Sequence, residues 1–370
     1  MQVCALTKDH YEELSIFLEG QTQGIIPRNV WMDRFPCFWE DNPSLRDGSN
    51  QRGWLIINDQ GRIGGFFGNI PMLYYCKGEE KIFAIASSWF VDPSCRNHSL
   101  AIFRCFLKEG KGKTQLCTTP SPEVTFIFKK MGFQSFEAEW LKEGYFFPAN
   151  SWEFSHFLRY RLFKNRIISA ISACLMPLLS FIIDFYKFLY KLRTPEKKEG
   201  QYLIREIDTF GKEYDAFWEK FRSKFDILAV RNQETLNWLL LGTPQLKSER
   251  KVLEIRREQE LIGYVAVKEV ARQVQSNRDV RYYEMVDAAL LEDNRELFLE
   301  LLDKMKSLAC QNRISFIKLY SLFPYWKSIM RQKGFLRMGK ESRFVYKDLS
   351  ADLQGLKSWL TPLDGDRGFF

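Results

Sequence analysis

The residues best suited to chemistry in this 370-residue chain lie between Val91 and Ala101, in the run Val91-Asp-Pro-Ser-Cys-Arg96-Asn97-His98-Ser99-Leu100-Ala101. A long, mostly apolar stretch from Lys81 to Val91 stops at Asp92-Pro93, and Ser99 is placed to cap a helix running from Leu100 to about Lys108. The first turn of a helix carries backbone N–H groups without intrahelical partners and a partial positive charge. Such a junction can hold a pyrophosphate through main-chain amides alone, provided small residues let the backbone come close. Arg96 adds a guanidinium able to pair with phosphate oxygens. Taken singly, Ser99 is also an ordinary cap and Asp92-Pro93 an ordinary turn.

Other chemistries are thinly supplied. His10, His98 and His156 lie far apart, and no cysteine or histidine pair has metal-ligand spacing, so no metal site is expected. The eight cysteines form no C-x-x-C pair. With no secretory signal at the start, they read as reduced thiols in a cytoplasmic setting. The formal charge of +8 is concentrated: nine lysines and arginines against three carboxylates between positions 157 and 200 account for +6 of it. The near-neutral remainder argues against a nucleic-acid surface.

The elements that must position the Val91–Ala101 junction follow from apolar periodicity and turn residues. The aromatic-rich start, to about Asn50, reads as helices and loops, with Trp31, Phe35, Phe38 and Trp39 ahead of Asn42-Pro43. Strands are expected at Trp54–Asn58, Arg62–Asn69, Met72–Lys77 and Lys81–Val91, the last central in a sheet. A helix follows from Leu100, then a strand at Thr114–Thr119, a helix opened by Pro120-Ser121-Pro122, and a last strand from Phe133.

That order partly recurs. A hairpin around Glu258-Gln259, a strand at Arg281–Leu290, a helix at Asn294–Cys310, a strand at Ser315–Tyr320 and a helix at Pro324–Gln332 are expected. Arg62-Ile-Gly-Gly-Phe aligns with Leu261-Ile-Gly-Tyr-Val, and Phe128-Lys-Lys-Met-Gly-Phe133 with Met330-Arg-Gln-Lys-Gly-Phe335. A repeated domain is the economical reading: 1–150 as the N-terminal domain, 151–200 as an apolar basic linker or membrane-surface segment, 201–350 as a degenerate C-terminal domain and 351–370 as a tail.

The strand–helix order ending in Lys-Met-Gly-Phe resembles the GNAT superfamily of acyltransferases. Arg96 and Ala101 match the family's R/Q-x-x-G-x-G/A loop, Ser99 stands where the first glycine usually lies, and Gly132-Phe133 matches a second motif. The resemblance covers most of 1–145 and, more loosely, the second half. It implies an α/β fold of two tandem GNAT-like domains, each a mixed, mostly antiparallel sheet flanked by helices. It also implies acetyl-CoA or another acyl-CoA as co-substrate. The pyrophosphate would sit on Arg96, Asn97, His98, Ser99, Leu100 and Ala101. Pantetheine would run beside Phe90 and Val91, with Ser121 near the cofactor.

The family's frequent proton donor is a tyrosine four residues before the Gly of Gly-Phe. Phe128 occupies that position, and Ser87 and Ser88 are the only polar side chains of the central strand beyond Lys81, so no catalytic residue is assigned. Glu40 and Asp41 are weak candidates for an acceptor pocket. Glu284 and Asp287 could reach a cleft in the second half, where acidic residues at the helix start would repel pyrophosphate.

The resulting expectation is an acyl-CoA-dependent N-acyltransferase acting on a small-molecule, sugar or lipid-linked acceptor. A non-catalytic ligand- or partner-binding protein is the alternative, and a Fem-type aminoacyl transferase a third. Ile167 to Ile183 is uncharged, interrupted by Pro177, short for a membrane span and flanked by positive residues at both ends. Burial as an interdomain linker and anchorage on an anionic membrane surface are expected about equally. The second would place the protein peripherally at the inner face of a membrane.

Overall fold

The computed structural model describes residues 1–45, 52–137, 143–162, 173–193, 200–274, 278–292, 294–323, 325–339, 343–347 and 355–366. In chain order the strands are β1 (Gln2–Ala5), β2 (Gly53–Ile57), β3 (Ile63–Asn69), β4 (Met72–Cys76), β5 (Glu79–Val91), β6 (Gln115–Cys117), β7 (Gln134–Ser135), β8 (Glu143–Pro148), β9 (Leu203–Ile207), β10 (Ile227–Ala229), β11 (Arg250–Arg257), β12 (Glu260–Val274), β13 (Arg278–Leu290), β14 (Phe316–Tyr320), β15 (Leu336–Gly339), β16 (Val345–Lys347) and β17 (Ser358–Trp359). The helices are α1 (Tyr11–Gln21), α2 (Arg28–Trp39), α3 (Ser99–Glu109), α4 (Pro122–Lys130), α5 (Ser151–Leu162), α6 (Met176–Arg193), α7 (Glu213–Arg222), α8 (Gln233–Leu241), α9 (Pro244–Glu249), α10 (Arg295–Gln311) and α11 (Trp326–Gln332).

The chain divides into two compact units that are not consecutive. The first gathers Met1–Glu137, Thr209–Ser248 and Arg343–Phe370; the second gathers Ala138–Asp208 and Glu249–Ser342. The boundaries 1–150, 151–200, 201–350 and 351–370 are corrected accordingly. The reason is strand pairing. A backbone N–H or C=O buried without a partner is costly, and each displaced strand finds its ladder in the other half of the chain. Thus β8 pairs antiparallel with β14 and β15, while β16 pairs antiparallel with β6 and β7. Strand β10 pairs with β4, and β17 pairs with β10.

In the first unit, β3 and β4 form one extended stretch against β5, with register from Gly65↔Val91 to Cys76↔Glu79. The turn between β4 and β5 uses Lys77 and Gly78, both with positive φ. Strand β2 flanks β3, and β6 lies parallel to β5 on its other side. Strand β1, from a segment read as helix and loop, pairs with β2. The aromatic residues of α2 recur at helical spacing, and Trp31, Phe35, Phe38 and Trp39 are all buried. Phe35 and Trp39 stack at 5.7 Å, and Trp39 Nε1 donates to the Asn69 carbonyl at 2.8 Å. Asn42 donates to the Phe38 and Pro71 carbonyls, which fixes the exit of α2 against the sheet. Trp238, from the Leu236-Asn237-Trp238 segment, donates to the Cys37 carbonyl, so that segment also builds the first unit.

The second unit holds a seven-stranded sheet in the order β15-β8-β14-β13-β12-β11-β9. Apart from the parallel pair β13/β14 its ladders are antiparallel. Helix α10 presents Leu297, Phe298, Leu301, Leu302, Met305 and Leu308 as its buried face. Each unit thus has a mixed sheet in which a parallel pair, β5/β6 in the first and β13/β14 in the second, has a helix after each of its strands, as the repeated domain predicts. The segment Ile167–Ile183 falls partly outside the described residues; its later part lies in α6.

Candidate functional site

The ladder of the parallel pair β5/β6 is short. Pairing holds at Ala84↔Gln115 and Ile85↔Leu116, and β6 ends at Cys117. From Ser87 to Val91, β5 keeps its bonds to β3 on one side and has no β6 ladder on the other. Within that stretch lies a bulge. Phe66 faces Phe90 and Gly68 faces Ser87, so Ser88 and Trp89 together oppose Phe67. Ser88 takes φ +51°, a conformation costing a non-glycine residue roughly 1–2 kcal/mol. Strain of this kind collects where function needs an unusual backbone path.

Both helices that follow the pair start at this end. Helix α3 follows β5 and α4 follows β6, so their N-termini lie outside the carboxyl ends of two diverging parallel strands, where open α/β sheets place ligands. Phe90 and Val91 are the last residues of β5. The expected turn after Val91 is instead a 3-10 helix, Pro93–His98, running directly into α3, which starts at Ser99. Asp92 rather than Ser99 is the side-chain cap. Its carboxylate accepts from Ser94 N at 2.9 Å and Ser94 Oγ at 2.6 Å, and these bonds hold it below the usual carboxylate range. At the start of α3 itself, His98 occupies the cap position and makes no side-chain capping bond. Arg96, Asn97 and Leu100 are exposed, and His98, Ser99 and Ala101 are half-buried. Just before them Cys95 is buried, packed over Gly64, where a Cβ would stand 2.5 Å from its Sγ.

Ser121 does open α4, as expected, but its hydroxyl is engaged: it accepts from Val124 N and donates to Glu123. Phe128 is sealed in the core, 4.7 Å from the Phe103 ring and 4.6 Å from Phe133. Trp89 stacks on Phe103 at 5.1 Å. Its indole Nε1 is buried with no hydrogen-bond partner among the described residues. Cys117, at the end of β6, is no nucleophile: burial, reinforced by the Asp366 carboxylate, pushes its thiol far up and keeps it protonated. Glu40 accepts from Tyr11 and Arg52, a fixed network rather than an open pocket wall.

Sequence reasoning missed what closes this end of β6. The segment read as a tail is buried from Trp359 to Asp366. Thr118 and Thr119 hydroxyls each donate to Asp366 at 2.9 Å. Asp364 accepts from Arg231 at 2.5 Å, an ion pair sealed from water on both sides. Gly365 has φ +114°, and a Cβ there would meet Thr118 Oγ1 at 2.3 Å, so only glycine lets the segment pass. A Gly-Asp pair near a chain end carries no signal of its own in the sequence.

The second unit repeats the geometry without the chemistry. Pairing of β13 with β14 stops at Glu284↔Lys318, and a bulge at Val286 follows. Glu284 accepts from Lys318 at 3.0 Å and from Tyr320, and Asp287, fully buried, accepts from Tyr264 at 2.6 Å. Helix α10 is capped by Asn294, whose side chain accepts from Leu297 N at 2.8 Å. Buried carboxylates and a filled cap leave this junction unsuited to a phosphate.

No protein-family model and no curated protein sequence matches the chain. Solved structures do. It is similar to Saccharomyces cerevisiae N-myristoyltransferase with bound myristoyl-CoA, at 11% identity and a TM-score of 0.54, over 93% of this chain and 81% of that one. It is similar to a GCN5-related N-acetyltransferase from Anabaena variabilis, at 9% identity and 0.53, over 94% and 72%. A probable N-acyltransferase of unknown function from Enterococcus faecalis gives 10% identity and 0.53, over 94% and 73%. At these identities the likeness is one of fold. The chain has the fold of the GNAT acyltransferases, in two tandem GNAT-like units.

Proposed function

We propose that the chain is an acyl-CoA-dependent N-acyltransferase whose cofactor site is the opening between β5 and β6 in the first unit. The observation that carries this reading is the stretch Ser87–Val91, which lacks a ladder on the β6 side and leads straight to a helix start. A pantetheine arm would add backbone bonds there, near Phe90 and Val91. Its pyrophosphate would meet the amides of Asn97 to Ala101, with Arg96 beside them. The buried indole N–H of Trp89 is a donor that a bound thioester arm could satisfy, since an unmet buried donor costs about 1–3 kcal/mol.

In the reaction an amine nitrogen attacks the thioester carbonyl, the N–C bond forms, the C–S bond breaks, and the amine's proton ends on the departing CoA thiol. Asp366, held by two threonine hydroxyls at the end of β6, is our choice for the group that takes up that proton first. Phe128 donates nothing. Holding amine and thioester together supplies much of the rate without an acid. The acceptor is an amine on a small molecule, a sugar or a lipid-linked intermediate.

The Asp92 carboxylate at the start of the helical run and the missing tyrosine favour a second reading, a GNAT-like protein that binds a ligand without turning it over. One experiment separates the two. We expect acyl-CoA to raise the melting temperature, Arg96→Ala to reduce the rise at least severalfold, and Asp366→Asn to lower turnover while keeping the rise. A melting temperature unmoved by a panel of acyl-CoA chain lengths rejects the cofactor site. A rise without turnover of any amine selects the second reading.

A further inference from the structure

Aromatic rings fill the first unit behind the stretch of β5 that carries no β6 ladder. Trp89, on that stretch, lies 5.3 Å from Phe67 of β3, 5.1 Å from Phe103 of α3 and 6.3 Å from Phe128 of α4, centroid to centroid. Phe103 is 4.7 Å from Phe128, Phe106 is 5.0 Å from Phe67, and Phe133 is 4.6 Å from Phe128. These are contact separations for aromatic pairs. The five phenylalanines are sealed from solvent, whereas Trp89 is half-buried. Ala84 and Ala86 of β5 belong to the same core cluster, so the rings pack against one face of that strand. The bulge aims the indole into this block, because Ser88 and Trp89 together oppose Phe67.

The proposed cofactor site, on which this inference rests, puts the thioester at the inner end of the same stretch. An arm that leaves the amides of Asn97 to Ala101 and follows β5 from Val91 to Ser87 travels about 13 Å, at roughly 3.3 Å per residue. Beyond Ser87 the way is shut. Ile85 pairs with Leu116, Thr118 donates to Asp366, and Gly365 stands against the Thr118 side chain. One face of the thioester carbonyl must stay free for the attacking amine. The acyl tail is left to turn toward the rings, and Trp89 is the first it meets. A core packed ring against ring takes in no extra methylenes without displacing its side chains.

We propose that Trp89, backed by Phe103 and Phe128, sets the length of the acyl group, so that the site takes short-chain donors such as acetyl- and butanoyl-CoA and excludes medium and long chains.

The test is calorimetric titration of the full chain with CoA and with acetyl-, butanoyl-, octanoyl- and decanoyl-CoA, which requires no acceptor. We expect acetyl- and butanoyl-CoA to bind alike, and octanoyl- and decanoyl-CoA to bind at least about tenfold more weakly. Trp89→Leu leaves a cavity where the tail would run, and should raise the ratio of octanoyl- to acetyl-CoA affinity at least about tenfold. Phe103→Leu, behind the indole, should move the ratio in the same direction. Phe35→Leu, an equal loss from the separate ring stack of α2, should leave the ratio at the parent value. The proposal is overturned if the parent binds octanoyl-CoA as tightly as acetyl-CoA, or if neither Trp89→Leu nor Phe103→Leu changes the ratio. Both of those results leave the acyl-CoA site standing. A parent that binds neither CoA nor any acyl-CoA rejects the site itself, and the length limit with it.

Discussion

Phe128 bears on what the first unit could supply to the proposed acyl transfer. Its ring is packed among Phe103, Phe133 and Trp89, so a hydroxyl at its para position would be buried among rings. Phe128→Tyr should therefore destabilise the protein by about 1–3 kcal/mol and leave turnover no higher, measured by urea unfolding and an acyl-transfer assay. A gain in rate would mean that the position reaches substrate. The same residue is legible in the sequence. Its place four residues before Gly132 matches the position where the family often has a tyrosine, and the structure puts its ring in the core. Asp92 shows the opposite. Asp-Pro reads as a turn in one dimension; only the fold shows its carboxylate taking the first amide of a helical run that continues into α3.

At the scale of elements, the diverging pair β5/β6 and the ladder β9/β11 illustrate two uses of a strand. The first leaves a backbone edge open; the second is braced by side chains. Glu254 on β11 is buried. Burial works against its ionisation, but hydrogen bonds from Arg256 and from Arg205 on β9 outweigh that and hold its carboxyl below the ordinary value of 4.5. A depressed folded value means stability that is complete above 4.5 and is lost as pH falls through the lowered value. Glu254→Gln should lower the urea midpoint at neutral pH and flatten its decline on acidification. An identical acid slope in the variant would show that the network contributes nothing. Alternation of apolar residues made β11 and β12 legible as a hairpin. The pairing of Glu254 with Arg205 joins residues 49 positions apart and has no local signature.

For the whole molecule, the exchange of β8 and β16 has a direct consequence. Each sheet is completed by a strand from the other half of the chain, between β14 and β15 in one case and between β6 and β7 in the other. The first unit also draws β10 and β17 from beyond residue 200. A fragment ending at residue 150 keeps the motif-bearing stretch but loses three strands and the buried Arg231–Asp364 pair. We expect it to lack cooperative unfolding in circular dichroism, while the full chain unfolds cooperatively. A fragment that melts sharply by itself would show that the exchanged strands are dispensable. Repeat signals in the sequence pointed to two similar units because each repeat carries its own glycines and apolar periodicity. They placed the boundary wrongly because a strand of three to six residues carries no mark of which sheet it will join.

The amino-acid sequence alone determined the kind of unit, its duplication, the strand-to-helix junction at Val91–Ala101 and the apolar basic stretch ahead of position 200. All of these are written in local spacing, where turn residues and side-chain periodicity act over a few positions. Tertiary structure alone decided the rest: the bulge at Ser88, the burial of Asp366 beside Thr118 and Thr119, the exchange of strands, and the stacking of Trp89 on Phe103. Each depends on groups far apart in the chain meeting through pairing and packing, and no local pattern specifies which distant partner a strand edge, a carboxylate or a helix face will find.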